Sequence, residues 1–296
     1  MVEGKEIYIG FSDLNWKRRP GQALRVVMVY VLLALGAFVF LMPLFWMIST
    51  SLKTQPEVYV FPPKFFPDTF RWQNFPEGWT YPKTSFPLWT WNTLVITAIN
   101  LVGTVLSSAW CAYGFARIKF PGRDIWFMLV LASIMLPGAV VLIPLFVLYS
   151  KIGWLDTFYP LTVPVFFGGG AFNIFLLRQY FKTIPIELEE AAIMDGANRF
   201  RIFFQIILPL SKPVLATIAV FTFQGVWNNF YGPLIFLSSV ENYTLALGIN
   251  SFKGLYGQQI PLTMAMSFLM VIPMIIVFFI AQKQMIRGVI LSGLKA

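Results

Sequence analysis

The stretch EAAIMDGANRFRIFFQIILPLSKP, residues 190–213, separates two long runs that contain no charged residue. Glutamates stand at its first position, 190, and just before it at 187 and 189, where carboxylates complement the dipole of a helix N-terminus. Gly196 follows Asp195 and suits the left-handed residue that ends a helix. An apolar run then extends to Pro209. The pattern predicts a short acidic helix, a turn and a second, apolar helix that leads into the next charge-free run.

The chain as a whole is too apolar for a soluble protein. Its 296 residues are 57% hydrophobic and 12% charged, with a mean hydropathy of +0.70, whereas charged residues make up about 25% of a soluble domain. Lipid is therefore the expected solvent. The net charge of +9 is expected to reflect anionic headgroups and orientation in a membrane, and no nucleic-acid partner is predicted.

Charge-free runs mark the candidate membrane spans, because a charge at the bilayer centre costs roughly 2.5–3.5 kcal/mol. Six runs exceed the ~20 residues that a spanning helix needs. They predict an all-α, polytopic membrane protein with six transmembrane helices between a tail at 1–25 and a tail at 283–296. The predicted spans are approximately 26–50, 88–112, 125–149, 157–177, 213–237 and 261–282.

The positive charges predict the orientation. If the six runs cross the membrane, 16 of the 22 Lys and Arg lie on the side of both termini and six on the other. By the positive-inside rule both termini are expected in the cytoplasm, together with residues 190–213. The expected location is the plasma or inner cell membrane.

Helix-breaking residues interrupt two predicted spans. The third contains Pro137 and Pro144, and the fourth contains Pro160, Pro164 and the glycines 168–170. Broken helices are tolerated inside a membrane where protein or water supplies the lost hydrogen bonds, which predicts a translocation pathway near the breaks. The alternative is that the glycines permit close helix contact. The proline-rich segment 53–87 is expected to be external, either receiving a partner or covering helix ends.

The missing chemistry excludes several functions. The chain has no histidine and a single cysteine, Cys111, so it cannot build a Ser-His-Asp triad, a histidine metal site or a thiolate cluster. We therefore predict no catalytic residue and no bound metal. It has no phosphate-binding G-x-x-x-x-G-K-[ST] loop. All 13 acids lie outside the charge-free runs, which weakens an ion-driven carrier, so the energy is expected to come from another subunit.

Physical pattern alone leaves residues 190–213 as either an amphipathic hairpin on the membrane surface or a docking element. Their residues resemble the cytoplasmic EAA loop of ABC-importer permease subunits. The residues that carry this resemblance are Glu190, Ala191, Ala192, Asp195, Gly196, Ala197, Phe203, Ile206, Leu208, Pro209 and Pro213.

The resemblance implies a type I importer permease fold, in which loop 182–209 forms a coupling helix that docks into a groove of a cytoplasmic ATPase. In this interpretation Glu190 contacts a basic group of the ATPase, and Gly196 permits the turn between the two short helices. The three alanines, Ala191, Ala192 and Ala197, would supply a surface for close approach.

Other segments resemble the MalG-type permeases of carbohydrate importers, among them FLLRQYFKTIP at 175–185, WNNFYGPL at 227–234 and QKQMIRGVILSGLKA at 282–296. This resemblance implies a second, non-identical permease, two ATPase subunits, an extracytoplasmic solute-binding protein and a sugar-like substrate. No cofactor is expected in the chain itself, because the ATPase subunits would bind ATP.

Polar residues near the fifth span are candidates for the substrate pathway. Gln224 and Asn228 share a helical face, Trp227 and Asn229 adjoin them, and Asn173 follows the glycines. Amides can hydrogen-bond sugar hydroxyls and an indole can stack on a sugar ring, but both residue types also serve helix packing and the membrane interface.

Two other functions stay open at this point. One is a self-sufficient, ion-coupled secondary carrier, and the other is a membrane assembly factor that transports nothing.

Overall fold

The computed structural model describes residues 20–81, 85–252 and 259–293, with side chains at 24–81, 85–250, 252 and 259–282. Within these ranges every regular element is helical, which confirms the all-helical prediction. The α-helices in chain order are α1 Pro20–Ser51, α2 Asn74–Trp79, α3 Phe86–Arg117, α4 Arg123–Ser133, α5 Gly138–Lys151, α6 Tyr159–Thr162, α7 Ala171–Phe181, α8 Glu187–Met194, α9 Arg199–Ile202, α10 Leu208–Leu210, α11 Lys212–Trp227, α12 Tyr231–Phe236, α13 Leu245–Ser251 and α14 Ile260–Gly293.

Four segments of the described chain are long and apolar enough to cross a membrane without a sharp bend: Leu24–Ser51, Phe86–Arg117, Tyr159–Phe181 and Ile260–Gln282. Two further helix pairs meet the same criterion only together. The pair α4 and α5 is bent by 96°, and the pair Arg199–Leu210 and α11 is bent by 79°. The described chain therefore offers four spans, or up to six if each bent pair counts as one.

The sharpest bend falls in the segment predicted as the third span. Pro137 caps α5 with φ −61° and ψ 132°, outside the helical region. Proline has no N–H to donate and disfavours helical backbone before it, so α4 ends at Ser133 and the chain turns. Pro144 remains inside α5. Of two prolines that look equivalent in the sequence, one breaks the helix.

Helix α3 lies at the centre of the packing. It contacts α7 and α11, while α14 packs against α1, α2 and α11. Two apolar clusters form at opposite ends of α3. The first contains Phe86, Trp89, Trp227, Leu245 and Met266, and the second contains Ala109, Tyr113, Leu177, Phe181, Ile202, Phe203 and Ile218. Between them α3 buries a polar stripe: Asn92, Thr93, Thr97, Asn100, Thr104 and Ser108.

Polar side chains of α3 support the broken fourth span. Between α6 and α7 the chain forms a 3-10 turn at Pro164–Phe166 and three glycines with φ of 110°, 64° and 97°. Asn100 Nδ2 donates to the Leu161 carbonyl at 2.9 Å, and Ser107 Oγ donates to the Val165 carbonyl at 2.6 Å. These side chains supply partners to carbonyls at the break, as an interrupted membrane helix requires.

Gly169 shows why the break needs glycine. A Cβ atom at this position would lie 2.5 Å from the Thr104 carbonyl oxygen and 2.8 Å from Ser107 Oγ. The backbone of the break therefore touches α3 directly. Close helix contact, one of the two roles that the sequence left open for the glycines, is the role that Gly169 has.

The connection between α1 and α3 folds back onto the helices. Asn74 Nδ2 donates to the carbonyls of Ser51 and Lys53, both at 2.8 Å, and the Lys53 ammonium lies 4.5 Å from the ring centroid of Trp46. The short helix α2 packs against α14. Described residues of this proline-rich segment thus cover helix ends, and they include the short helix α2 and a 3-10 turn at Pro56–Tyr59.

Candidate functional site

Loop 182–209 folds as a helix, a turn and a second helical segment. The N–H of Gly196 bonds the Ile193 carbonyl, and the N–H of Ala197 bonds the Ala192 carbonyl, both at 2.9 Å. With φ of +79° at Gly196, this is a Schellman motif, which satisfies the last carbonyls of α8.

The second helical segment of the loop begins at a capped N-terminus. Asn198 Oδ1 accepts a hydrogen bond from the Arg201 N–H at 2.9 Å and caps α9. The helix continues through a π-helical turn at Phe203–Ile207, a form that often occurs at functional sites, into α10.

The loop has an outer and an inner face. Glu190, Ala191, Asp195 and Gly196 are exposed, as is Pro209. Phe203 is buried, and Ala192, Ala197 and Leu208 are half-buried and pack against the cluster at the Tyr113 end of α3. The candidate coupling residues therefore divide between a free surface and an anchored base.

Glu189 is the buried centre of the inner face. Its side chain is 1% exposed, and its Oε1 lies 3.0 Å from Arg117 Nε. On the other side Oε2 lies 3.4 Å from Arg199 Nη1, and the Tyr113 hydroxyl approaches Oε2 at 3.5 Å. Neither Glu189 nor Arg117 was assigned a specific role from the sequence. The available signal was the run of acids at 187, 189 and 190, which does not tell which of them faces inward.

Arg117 also holds the end of the neighbouring helix. Its Nη2 donates to the Phe181 carbonyl at 2.5 Å and to the Ile184 carbonyl. These carbonyls lie at and just beyond the C-terminus of α7, where a cation complements the helix dipole. One guanidinium thus joins α3, the end of α7 and, through Glu189, helix α8.

Aromatic contacts complete the attachment of the loop to α3. The Trp110 ring centroid lies 4.9 Å from that of Phe200 and 4.8 Å from that of Phe203, and Tyr113 lies 5.2 Å from Phe203. The segment after the turn therefore packs on α3 through rings, while α8 is held mainly through the Glu189 carboxylate.

The candidate pathway residues have different environments. Trp227 is 1% exposed, donates from Nε1 to the Met270 carbonyl at 3.0 Å and stacks on Phe223 with 5.3 Å between centroids. Its ring is not accessible to a solute in this conformation. Gln224 and Asn228 are exposed at the end of α11, with Asn228 Nδ2 donating to the Gln224 carbonyl at 3.0 Å.

The two remaining asparagines stabilise turns. Asn229 Oδ1 accepts from the Gly232 N–H at 3.1 Å, and Asn173 Nδ2 donates to the Gly169 carbonyl at 2.7 Å. Both side chains are half-buried. Of the five residues, Gln224 and Asn228 have the most exposed side chains.

The comparison with known families identifies the kind of protein. The model of the family described as binding-protein-dependent transport system inner membrane component matches residues 104–290, which include the loop 182–209. The chain belongs to this family.

Individual relatives agree with the family. The chain is 32% identical over 267 residues to the probable ABC transporter permease protein YurM of Bacillus subtilis, covering 90% of this chain and 88% of the relative. It is 33% identical over 264 residues to the arabinooligosaccharides transport system permease protein AraQ of Halalkalibacterium halodurans, covering 88% and 92%.

The fold is also that of a solved transporter. A chain of a bacterial ABC transporter involved in the import of the acidic polysaccharide alginate superposes with a TM-score of 0.76 at 24% identity, covering 88% of this chain and 96% of that chain. The protein is therefore a multi-pass transmembrane permease subunit of an ABC transporter and not an enzyme. Family membership favours this function over the ion-coupled carrier and the assembly factor.

Proposed function

We propose that this permease carries a sugar or sugar-like solute into the cytoplasm, and that loop 182–209 couples it to a cytoplasmic ATPase. The observation that carries the coupling is the contrast between two neighbouring glutamates of α8. Glu189 is buried against α3, whereas Glu190 is exposed, and among the described residues its carboxylate has no hydrogen bond or ion pair. The loop thus presents a free acid on a helix that is fixed from behind.

The exposed face of α8 suits a groove with a basic group. Glu190 stands beside Ala191, whose small side chain allows close approach, and Met194 is 87% exposed. Methionine adapts to irregular apolar surfaces and is frequent at protein-binding sites. An acid, a small residue and an adaptable apolar residue together fit a partner whose groove has a cation and an apolar floor. In this proposal the partner binds ATP, and the permease holds no cofactor.

The proposed assembly contains this chain, a second and non-identical permease, two ATPase subunits and an extracytoplasmic solute-binding protein. The name of the family, which refers to a binding protein, supports the last of these. A cytoplasmic loop 182–209 and the six spans predicted from the sequence would place both termini in the cytoplasm. The excess of Lys and Arg on that side supports the same orientation.

The proposed solute class rests on the relatives and on the exposed amides. AraQ is named for arabinooligosaccharides and the solved transporter for alginate, both carbohydrates. Gln224 and Asn228 offer donors and acceptors that hydroxyl-rich solutes can use. Uptake by the reconstituted complex, measured with a panel of mono- and oligosaccharides, polyols and glycerophosphodiesters, tests this class. Uptake of the last class alone would contradict the sugar proposal.

The coupling proposal is tested by co-purification of the ATPase with permease variants. Glu190→Ala removes the free carboxylate, and Gly196→Pro is incompatible with φ of +79°. Both should lower the ATPase recovered per permease at least tenfold while the permease still inserts. Glu241→Ala, an exposed acid at the Phe86 end of α3, serves as the control and should have no effect. Unchanged ATPase recovery and uptake with Glu190→Ala, or ion-driven uptake by the chain alone, would contradict the proposal.

A further inference from the structure

The buried carboxylate of Glu189 contacts two arginines that come from different helices. Arg117 approaches it from α3 at 3.0 Å and Arg199 from α9 at 3.4 Å. Because Arg117 also donates to carbonyls at the end of α7, the ion cluster joins four elements, α3, α7, α8 and α9. The cluster contains two cations and one anion. It lies behind the face of α8 that exposes Glu190.

Fold stability alone is a poor explanation for such a cluster. Buried ion pairs can often be replaced by apolar residues without loss of stability, since desolvation offsets the attraction. What charge-assisted hydrogen bonds add is direction, because their geometry fixes the orientation of both partners. Here Arg199 donates a hydrogen bond to Glu189, Arg117 donates one to the Phe181 carbonyl, and the close ion pair of Arg117 with Glu189 joins the two. These contacts link the helix that bears the proposed docking surface to the end of a transmembrane helix.

Apart from these contacts, the attachment of α8 to the membrane helices is slight. Ala192 is half-buried on the core, but Ala191, Ile193 and Met194 are exposed. Beyond the loop the chain bends by 79° at the junction of α10 and α11, so the second helical segment does not continue straight into a span. Without the ion cluster, α8 could tilt relative to α3.

We propose that Glu189 is a positioning residue that makes α8 move as one body with the ends of α3 and α7. This inference rests on the proposed coupling function. Glu190 receives the ATPase, and Glu189 with Arg117 and Arg199 transmits its movement to the membrane helices. Loss of the cluster therefore leaves ATPase binding in place and lowers the solute transported per ATP hydrolysed.

The experiment compares isosteric variants of the two neighbours in the complete transporter, reconstituted into liposomes. Glu189→Gln should leave ATPase co-purification within twofold of the unaltered complex and lower the uptake per ATP at least tenfold. Glu190→Gln should lower co-purification itself. Arg199→Gln, at a side chain that is 53% exposed, leaves the Arg117 pair intact and should lower the uptake per ATP about two- to fivefold without loss of assembly. Melting of each complex checks that the variants are folded.

Two results would overturn the inference. One is an unchanged uptake per ATP in Glu189→Gln. The other is a parallel loss of co-purification and uptake in Glu189→Gln and Glu190→Gln, which would make Glu189 part of the docking surface. If Glu189→Gln does not fold, Arg199→Gln decides, and an uptake per ATP within a few per cent of the unaltered complex rejects transmission through the cluster. If the coupling function itself is wrong, Glu190→Gln leaves co-purification unchanged, which distinguishes the two failures.

Discussion

Replacing Gly169 by alanine should destabilise the permease more than an equivalent change where the backbone is free. The new Cβ would stand 2.5 Å from the Thr104 carbonyl oxygen, which cannot withdraw unless α3 moves. Overpacking of this kind costs about 1–3 kcal/mol. Alanine at φ of +64° adds backbone strain of about 1–2 kcal/mol. The sum is about 2–5 kcal/mol.

Gly153→Ala is the matched control. Gly153 has φ of +72°, and a Cβ there meets nothing within 4 Å, so the control contains the backbone strain alone. Melting of the detergent-solubilised protein, followed by the fraction that stays monodisperse after heating, measures the difference. At roughly 2 °C per kcal/mol for a chain of this size, Tm should fall by about 4–10 °C for Gly169→Ala and about 2–4 °C for Gly153→Ala. Equal losses would refute the close contact with α3.

Two further predictions concern the separate roles of Trp227 and Gln224, and the hydrogen bonds that Asp156 accepts from Ser238 and Ser239. Trp227→Ala should lower the free energy of unfolding by about 3–5 kcal/mol because a buried ring is lost, whereas Gln224→Ala should change it by less than about 0.5 kcal/mol and reduce sugar uptake; melting and uptake assays on both check this, and the reverse pattern would contradict the assignment. Asp156 accepts from the Ser239 hydroxyl and from the N–H groups of Ser239 and Ser238, which hold its pKa well below its usual range. The resulting stabilisation is complete above the unfolded-state pKa of about 3.9 and is lost as pH falls towards the folded-state pKa, so the Tm advantage over Asp156→Asn should be constant from pH 7 to about pH 5 and shrink below about pH 4; a constant difference down to pH 2.5 would disprove it.

The helical character was predictable because a lipid-exposed backbone has no alternative partners for its hydrogen bonds. Three predicted spans, 26–50, 88–112 and 261–282, lie inside the continuous helices α1, α3 and α14. The turn at Gly196 was predictable for a local reason, since left-handed backbone favours glycine. Features that depend on composition or on one backbone angle can thus be predicted from the sequence.

The interrupted spans were less predictable, because proline and glycine mark positions where a helix can break but do not determine whether it breaks there. Pro137 ends a helix and Pro144 does not, although each lies in an apolar run. The broken segment 159–181 depends on Asn100 and Ser107, which come from another helix. Their role is invisible until α3 and that segment are packed together.

The sequence also did not show which residues of a helix face the protein interior and which face outward. In a helix that is apolar on all sides, periodicity does not distinguish the buried side from the lipid side or from a pathway. On α11, for example, Trp227 is buried whereas Gln224, three residues earlier, is exposed. The indole and the amide were equally plausible solute ligands in the sequence, and packing against Met270 and Phe223 separates them.

If loop 182–209 couples the permease to an ATPase, as proposed, the two neighbouring acids of α8 have different tasks. Successive residues of an α-helix point about 100° apart, so Glu189 can face α3 while Glu190 faces outward. A docking helix with only the outward acid could bind a partner and then yield when the partner moved. One with only the inward acid would be rigid but offer no charge to a groove. The pairing of Glu189 with Arg117 would supply the rigidity and the exposed Glu190 the charge for the groove, both within one helical turn. Variants of Glu190 should therefore impair ATPase binding, whereas variants of Glu189 should impair the uptake per ATP.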